Sequence, residues 1–186
     1  MSADRLALIE RHKQLIAHAI DAVDTRKSWS PFKDSPSTKI HGPEKPVAGK
    51  AAFEARLGQR FDLGQPGVTH WVGEEVSPYT QEALGITYPV SDPAALVEAA
   101  SKAVPAWAKA DPELRMALCA EMAVRLYDRN FEMAQAVMHV AGQSYTQAFS
   151  GSGPNALDRG IEALAYAAKA MRGVTSSATG SPAKSR

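Results

Sequence analysis

The hydrophobic positions of this chain fall into three textures. Over residues 3–23, Leu8, Ile9, Leu15, Ile16, Ala19, Ile20 and Val23 recur at the 3.6-residue period with charges opposite, which predicts an amphipathic helix. His12 lies on that stripe between Leu8 and Ile16, a position that suits a histidine hydrogen-bonded to a neighbour.

Residues 24–91 lose the period. Seven of the 12 prolines and seven of the 13 glycines fall here, so long regular elements are not expected. A short helix around 49–57 and short strands near 69–72 and 85–88 are what the pattern supports. The same stretch holds seven of the 13 aromatic residues: Trp29, Phe32, Phe53, Phe61, Trp71, Tyr79 and Tyr88. Linkers that stay disordered are poor in such residues, because nothing repays exposing them. This arm therefore needs a surface to lie on. Structureless stretches of such length are rare inside a compact domain, so the expected surface belongs to something larger than the chain.

Residues 92–172 read as helices almost throughout. Asp92-Pro93 and Asp111-Pro112 each place a capping carboxylate before a proline at the first helical position. The first of these helices offers Leu96, Val97, Ala100, Ala103, Val104 and Trp107, with Pro105 limiting or kinking its end. The second offers Leu114, Leu118, Met122 and Leu126 at spacing four, then continues or restarts at Asn130, and Phe131, Ala134, Val137, Met138 and Ala141 carry the stripe to a stop at Gly142. After a turn at 151–154, a last helix shows Leu157, Ile161, Leu164, Ala168 and Met171. Its many alanines permit close approach by another element. The pattern divides the chain into a helix plus arm over 1–91, a helical segment over 92–172 and a small, polar tail over 173–186 that is expected to be disordered.

Composition narrows the function classes. Lys plus Arg is 21 and Asp plus Glu is 20, and the balance holds within each zone, so neither nucleic acid nor a membrane is an expected partner. The longest run without a charge, Met133 to Leu157, contains Gln135, His139, Gln143, Gln147 and Pro154 and is no membrane span. Cys119 is the sole cysteine, which excludes an internal disulfide and fits a cytoplasmic chain.

Each candidate for chemistry has a plainer explanation. Cys119 sits inside an apolar helix between Leu118 and Ala120, away from the cationic surroundings that stabilise a thiolate, so a packing role is expected. Gly151-Ser-Gly153-Pro-Asn-Ala156 fits a loose dinucleotide pattern, but a helix rather than a strand precedes it and no acidic residue follows about 20 positions on. It reads as a helix-to-helix turn. Glu74-Glu75 reads as a solvated turn. His12 and His18 point to different helix faces and have no metal-ligand spacing. No catalytic, cofactor-binding or metal-ligating residue is assigned, and no cofactor is expected in this chain.

The helical zone resembles the N-terminal helices of the aldehyde dehydrogenase superfamily, carried by Ser91-Asp-Pro-Ala-Ala-Leu-Val-Glu-Ala-Ala-Ser-Lys-Ala-Val-Pro-Ala-Trp107 and Asp111-Pro-Glu-Leu-Arg115. Here Val140-Ala-Gly-Gln143 replaces the Glu-Thr-Gly-Lys turn usual in the family. The arm is similar to that of one branch, the phenylacetic-acid-degradation type. The matching stretches are Trp29-Ser-Pro-Phe32, Gly49-Lys-Ala-Ala-Phe-Glu-Ala55, Gln65-Pro-Gly67, Trp71-Val-Gly-Glu-Glu-Val-Ser-Pro-Tyr79 and Gly85-Ile-Thr-Tyr-Pro89. Val137-Met-His-Val-Ala-Gly-Gln143 and Gly153-Pro-Asn-Ala-Leu-Asp-Arg-Gly160 extend it, so that the resemblance runs from about residue 5 to Arg172.

The resemblance implies an activity that oxidises an aldehyde with NAD or NADP. A cysteine thiolate attacks the carbonyl, a hydride passes to the nicotinamide, and a glutamate-activated water releases the acid. The substrate implied for this branch is a ring-opened semialdehyde held as a coenzyme A thioester. The family's catalytic cysteine, glutamate and cofactor-binding sheet lie downstream of the matched region, and Cys119 is not at the nucleophile's position. The expected fold is mainly α with a few short strands: the N-terminal helical segment of an α/β aldehyde dehydrogenase fold, lacking most of the cofactor-binding sheet and the catalytic domain. A truncated frame or split gene would look like this, giving a fragment inactive alone. The expected partner is the missing catalytic half or a like subunit. The alternatives are a helical module docking on a separately encoded catalytic half, or an unrelated small helical binding protein.

Overall fold

The computed structural model describes residues 3–172, so the expectation of a disordered tail over 173–186 lies outside the described residues. The elements in chain order are α1 (Ala3–Thr25), α2 (Thr38–His41), α3 (Glu44–Glu54), β1 (Val68–Val72), β2 (Tyr88–Ser91), α4 (Pro93–Lys109), α5 (Pro112–Asp128), α6 (Asn130–Ala141), α7 (Tyr145–Ser150) and α8 (Ala156–Arg172). The mainly helical class with a short sheet is as expected.

Helix α1 forms where its stripe predicts and packs on both α5 and α8. Ala19 and Ile20 of α1, Ala123 of α5, and Leu157, Ile161 and Ala165 of α8 are buried together, with Leu15, Ile16, Val23 and Leu164 half-buried around them. Small residues at the contact let helix axes approach closely. Each fully buried Ile or Leu contributes about 1.5–3 kcal/mol.

Helix α5 turns a different face inward than its leucine spacing predicts. Its buried residues are Leu114, Met116, Ala117, Ala120 and Ala123, whereas Leu118, Met122 (60% exposed) and Leu126 face outward. The alanine row at spacing three is buried, with Ala123 in the cluster shared with α1, whereas the large-residue row at spacing four beyond Leu114 is exposed. Cys119 consequently lies half-buried rather than in the core.

The arm is not waiting for an absent body along its whole length. Phe32 is buried in the core beside α1, with its ring 4.8 Å from that of Tyr127. The Tyr127 hydroxyl donates to the Lys33 carbonyl and accepts from the Lys33 amide, both at 2.9 Å, which pins the arm to α5. Phe53 on α3, which starts five residues before the expected boundary, packs with Leu84 and Ile86 in a second cluster. A third unites Phe131 and Ala134 of α6 with Ala148 and Phe149. Helices α3 and α6 approach so closely at Gly49 that a Cβ there would collide with Phe131. Within the arm, Trp29 and Tyr79 remain exposed.

Strands β1 and β2 pair antiparallel, Val72 opposite Tyr88 and Val68 opposite Ser91, with an irregularity between Val68 and His70. The second strand lies three residues later than 85–88. Those earlier residues bond instead to the segment after α3, through Phe61 N–H to the Thr87 carbonyl (2.8 Å) and Thr87 N–H to the Gln59 carbonyl (3.1 Å).

Asp92 caps α4 as expected, its carboxylate accepting from the Ala94 amide at 3.0 Å. Asp111 makes no such side-chain bond, so α5 starts on Pro112 alone. Pro105 sits within α4, which continues to Lys109. No residue of α4 is buried, and Leu96, Val97 (66% exposed), Val104 and Trp107 are open to solvent. Helix α6 ends at Gly142, whose amide donates to the Met138 carbonyl at 3.0 Å. The turn expected at 151–154 is instead a π-helical stretch, Gly151–Asn155, that joins α7 directly to α8.

The two faces of α5 give a direct check. Ala120→Leu is expected to destabilise the chain by about 1–3 kcal/mol through overpacking. Met122→Gln should change stability by about 0.5 kcal/mol or less. Urea unfolding of both variants decides between this face assignment and its reverse.

Candidate functional site

The five histidines are dispersed among separate environments. His12 on α1 is buried and its Nε2 lies 2.5 Å from Glu121 Oε2 on α5. His18 sits beside Trp29, with ring centroids 5.9 Å apart. His41 packs edge-on against Phe131 and Phe149, His70 lies by the Thr69 hydroxyl, and His139 stacks on Phe53. Among the described residues, no group of three His, Cys, Asp or Glu side chains could hold a metal ion.

Two of these arrangements resemble chemistry and are better explained as joints. Ser77 Oγ lies 2.8 Å from His139 Nδ1, the contact a serine nucleophile makes with its base. Yet Ser77 is 0% exposed, and its oxygen already accepts from the amides of Tyr79 (3.2 Å) and Thr80 (3.3 Å). With both lone pairs occupied and no route for a substrate, the hydroxyl ties the arm to α6.

Glu121 is surrounded by three donors: Arg125 Nε at 2.8 Å, His12 Nε2 at 2.5 Å and Arg11 Nη1 at 3.3 Å. The Arg125 hydrogen bond, followed by that of His12 and with Arg11 adding to them, lowers its carboxyl to about 2. A group ionised at every ordinary pH is no general acid. It clamps α1 to α5.

The glycine-rich Gly151–Ala156 stretch is occupied by packing. Gly153 is buried, and a Cβ there would collide with the Asn130 carboxamide. Asn130 is itself fully buried and donates through Nδ2 to the Phe149 carbonyl at 3.0 Å. The glycine serves this packing, and the helix α7 leads into it where a nucleotide fold needs a strand. Glu74 is exposed as a solvated turn requires. Glu75 is not: it is half-buried, with Oε2 shielded from solvent and without a hydrogen-bond partner. Burial and then the Glu75 charge push the nearby Tyr88 phenol up.

A cleft of about 550 Å³ lies between the end of α1, the first residues of the arm and the start of α8. Trp29 and Tyr166 line it together with the charged Arg26, Lys27, Asp158, Arg159 and Glu162. Asp158 accepts from the Ser30 hydroxyl at 2.8 Å, and burial holds its carboxyl above the usual range. Sequence reading missed this cleft because Trp29 and Tyr166 are 137 positions apart and only the α1–α8 contact brings them together. It missed the Glu121 clamp for the same reason.

The comparisons place these features in a larger frame. Residues 71–185 match the model of the aldehyde dehydrogenase family. The fold is similar to the crystal structure of an NAD-dependent aldehyde dehydrogenase from Burkholderia multivorans, with a TM-score of 0.85 and 41% sequence identity over 91% of this chain. That similarity covers 30% of the solved protein, so the chain spans under a third of its relative's length. No curated protein matches the chain.

The Glu121 clamp has a pH signature. A carboxylate whose folded pKa is depressed contributes stability that is fully present above its unfolded value and lost as protons are bound below it. Stability is therefore expected to fall as pH drops from the ordinary glutamate range towards about 2. Glu121→Gln should flatten that part of the profile, which urea unfolding across the acid range measures.

Proposed function

The chain belongs to the aldehyde dehydrogenase family, and from that premise we propose that it forms the N-terminal helical layer of such an enzyme without supplying its bond-making chemistry. The observation that best supports this is the fit of nearly the whole chain to less than a third of an NAD-dependent relative. The residues described here do not fit a dinucleotide: the one glycine-rich stretch is filled by Asn130 and preceded by a helix. Cys119 is half-buried on the flank of α5. No step of aldehyde oxidation is therefore assigned to this chain.

Its role is positional. Helix α4 presents Leu96, Val97, Val104 and Trp107 to water, an apolar row of the kind that marks an interaction surface. In this reading the rest of the aldehyde dehydrogenase fold covers it, continuous with this polypeptide or separately encoded, or contributed by a like subunit. The arm motifs Trp71 to Tyr79 and Gly85 to Pro89 support the finer assignment to the phenylacetic-acid-degradation branch. The complete enzyme would then oxidise a ring-opened, coenzyme A-linked semialdehyde with NAD or NADP. The balanced charge of the chain and the absence, among its described residues, of any helix long and apolar enough to cross a membrane support work in the cytoplasm.

The chain alone is expected to form no NADH or NADPH from any aldehyde, read at the nicotinamide absorbance band. Mixing it with the separately produced remainder of the enzyme is expected to restore turnover. Steady aldehyde-dependent reduction by the chain by itself contradicts the reading, and failure of the mixture removes its docking part.

A further inference from the structure

The cleft beside α1 has a composition that its neighbours in the fold do not require. Residues just past a helix C-terminus favour cations, because the last carbonyls carry partial negative charge. Arg26 directly follows α1 with φ +56°, the left-handed conformation on which helices commonly end, and it stands among the residues lining the cleft.

The charges around the cleft are not equally free. Glu162 is paired with Arg159 at 2.6 Å, and Asp158 accepts the Ser30 hydroxyl. Arg26 and Lys27, both lining the cleft, form no ion pair within 4.0 Å among the described residues. Of the charges lining the cleft, Arg159 and Glu162 neutralise each other, which leaves Arg26 and Lys27 against Asp158 alone. Trp29 is 37% exposed and Tyr166 56%, while the His18 ring against Trp29 keeps the indole in place. The volume, about 550 Å³, lies within the range of small-molecule sites, roughly 300–1,000 Å³.

We propose that this cleft binds a small planar aromatic anion. The ring lies against the Trp29 indole and beside Tyr166, as aromatic faces favour. Its carboxylate or phosphate takes the fork of the Arg26 guanidinium and the ammonium of Lys27. The site is built from α1, the arm and α8 alone, so it does not depend on the assignment of the chain to a larger enzyme. An aromatic carboxylate and a nucleoside monophosphate share this chemistry, and their separate titration distinguishes them.

The test uses the whole chain labelled with nitrogen-15, titrated with benzoate, AMP, adenosine and inorganic phosphate. The indole N–H signals of Trp29, Trp71 and Trp107 are followed, Trp29 being identified by its loss in Trp29→Phe. Benzoate or AMP is expected to move the Trp29 signal in a saturable way, with Trp71 and Trp107 unmoved. The double variant R26Q/K27Q should weaken that binding about tenfold or more, its Trp71 and Trp107 signals reporting that the fold is kept. A response to benzoate alone assigns a carboxylate, and a response to AMP alone assigns a phosphate. No saturable shift with either, an equal response to adenosine or phosphate alone, or unaltered binding by the double variant overturns the proposal.

Discussion

Everything else in this fold is positioned by the seam where α1 lies against α5 and α8. The seam works because α5 and α8 meet α1 with small residues, Ala123 on one side and Ala165 on the other, both buried in one cluster with Ala19 and Ile20 of α1. Small residues remove the side-chain layer that would otherwise separate the helix backbones, and Ile20, Leu157 and Ile161 then fill the space beside the contact. Polar groups lock the ends of the same seam. Glu121 with His12, Arg11 and Arg125 ties α1 to α5, and Lys169 of α8 pairs with Asp24 near the end of α1. Once α1 is fixed, the chain that leaves it must pass α5 at Tyr127 and Phe32, which sets the course of the arm.

The first helix, the alanine-rich last helix and the stop at Gly142 were legible because each is a local signal: a 3.6-residue stripe, a composition, a residue type at a boundary. The inward face of α5 was not. Leu118, Met122 and Leu126 make the stronger apolar row, yet tertiary packing buries the alanine row instead. The same limit explains the arm. Its aromatic residues correctly required a surface, but nothing in residues 24–91 could say that α5 and α6 of the same chain supply it for Phe32 and Phe53. The π-helical link at Gly151–Asn155 escaped because glycine and proline together read as a turn, whereas here Gly153 is present so that Asn130 can be packed beneath it. The cleft depends on side chains from opposite ends of the sequence, so no spacing could announce it.

What the seam leaves over carries the functional meaning. A chain that buries α1, α5 and α8 yet leaves every residue of α4 unburied has completed one core and left another surface open. The two-stranded sheet beside it is of a size that is marginal by itself. Helix α4 and strand β2 lie within the part matched to the aldehyde dehydrogenase family, residues 71–185, as does the end of β1. The proposed role as one layer of a larger enzyme rests on this division between a closed core and an open apolar helix.

Native-state hydrogen exchange of the whole chain tests this division most directly, because it reads the opening free energy of each segment. The account predicts that amides of α1, α5 and α8 exchange slowest and together, through global unfolding, while those of α4 exchange far faster by local opening. Protection of α4 equal to that of α5 would contradict it.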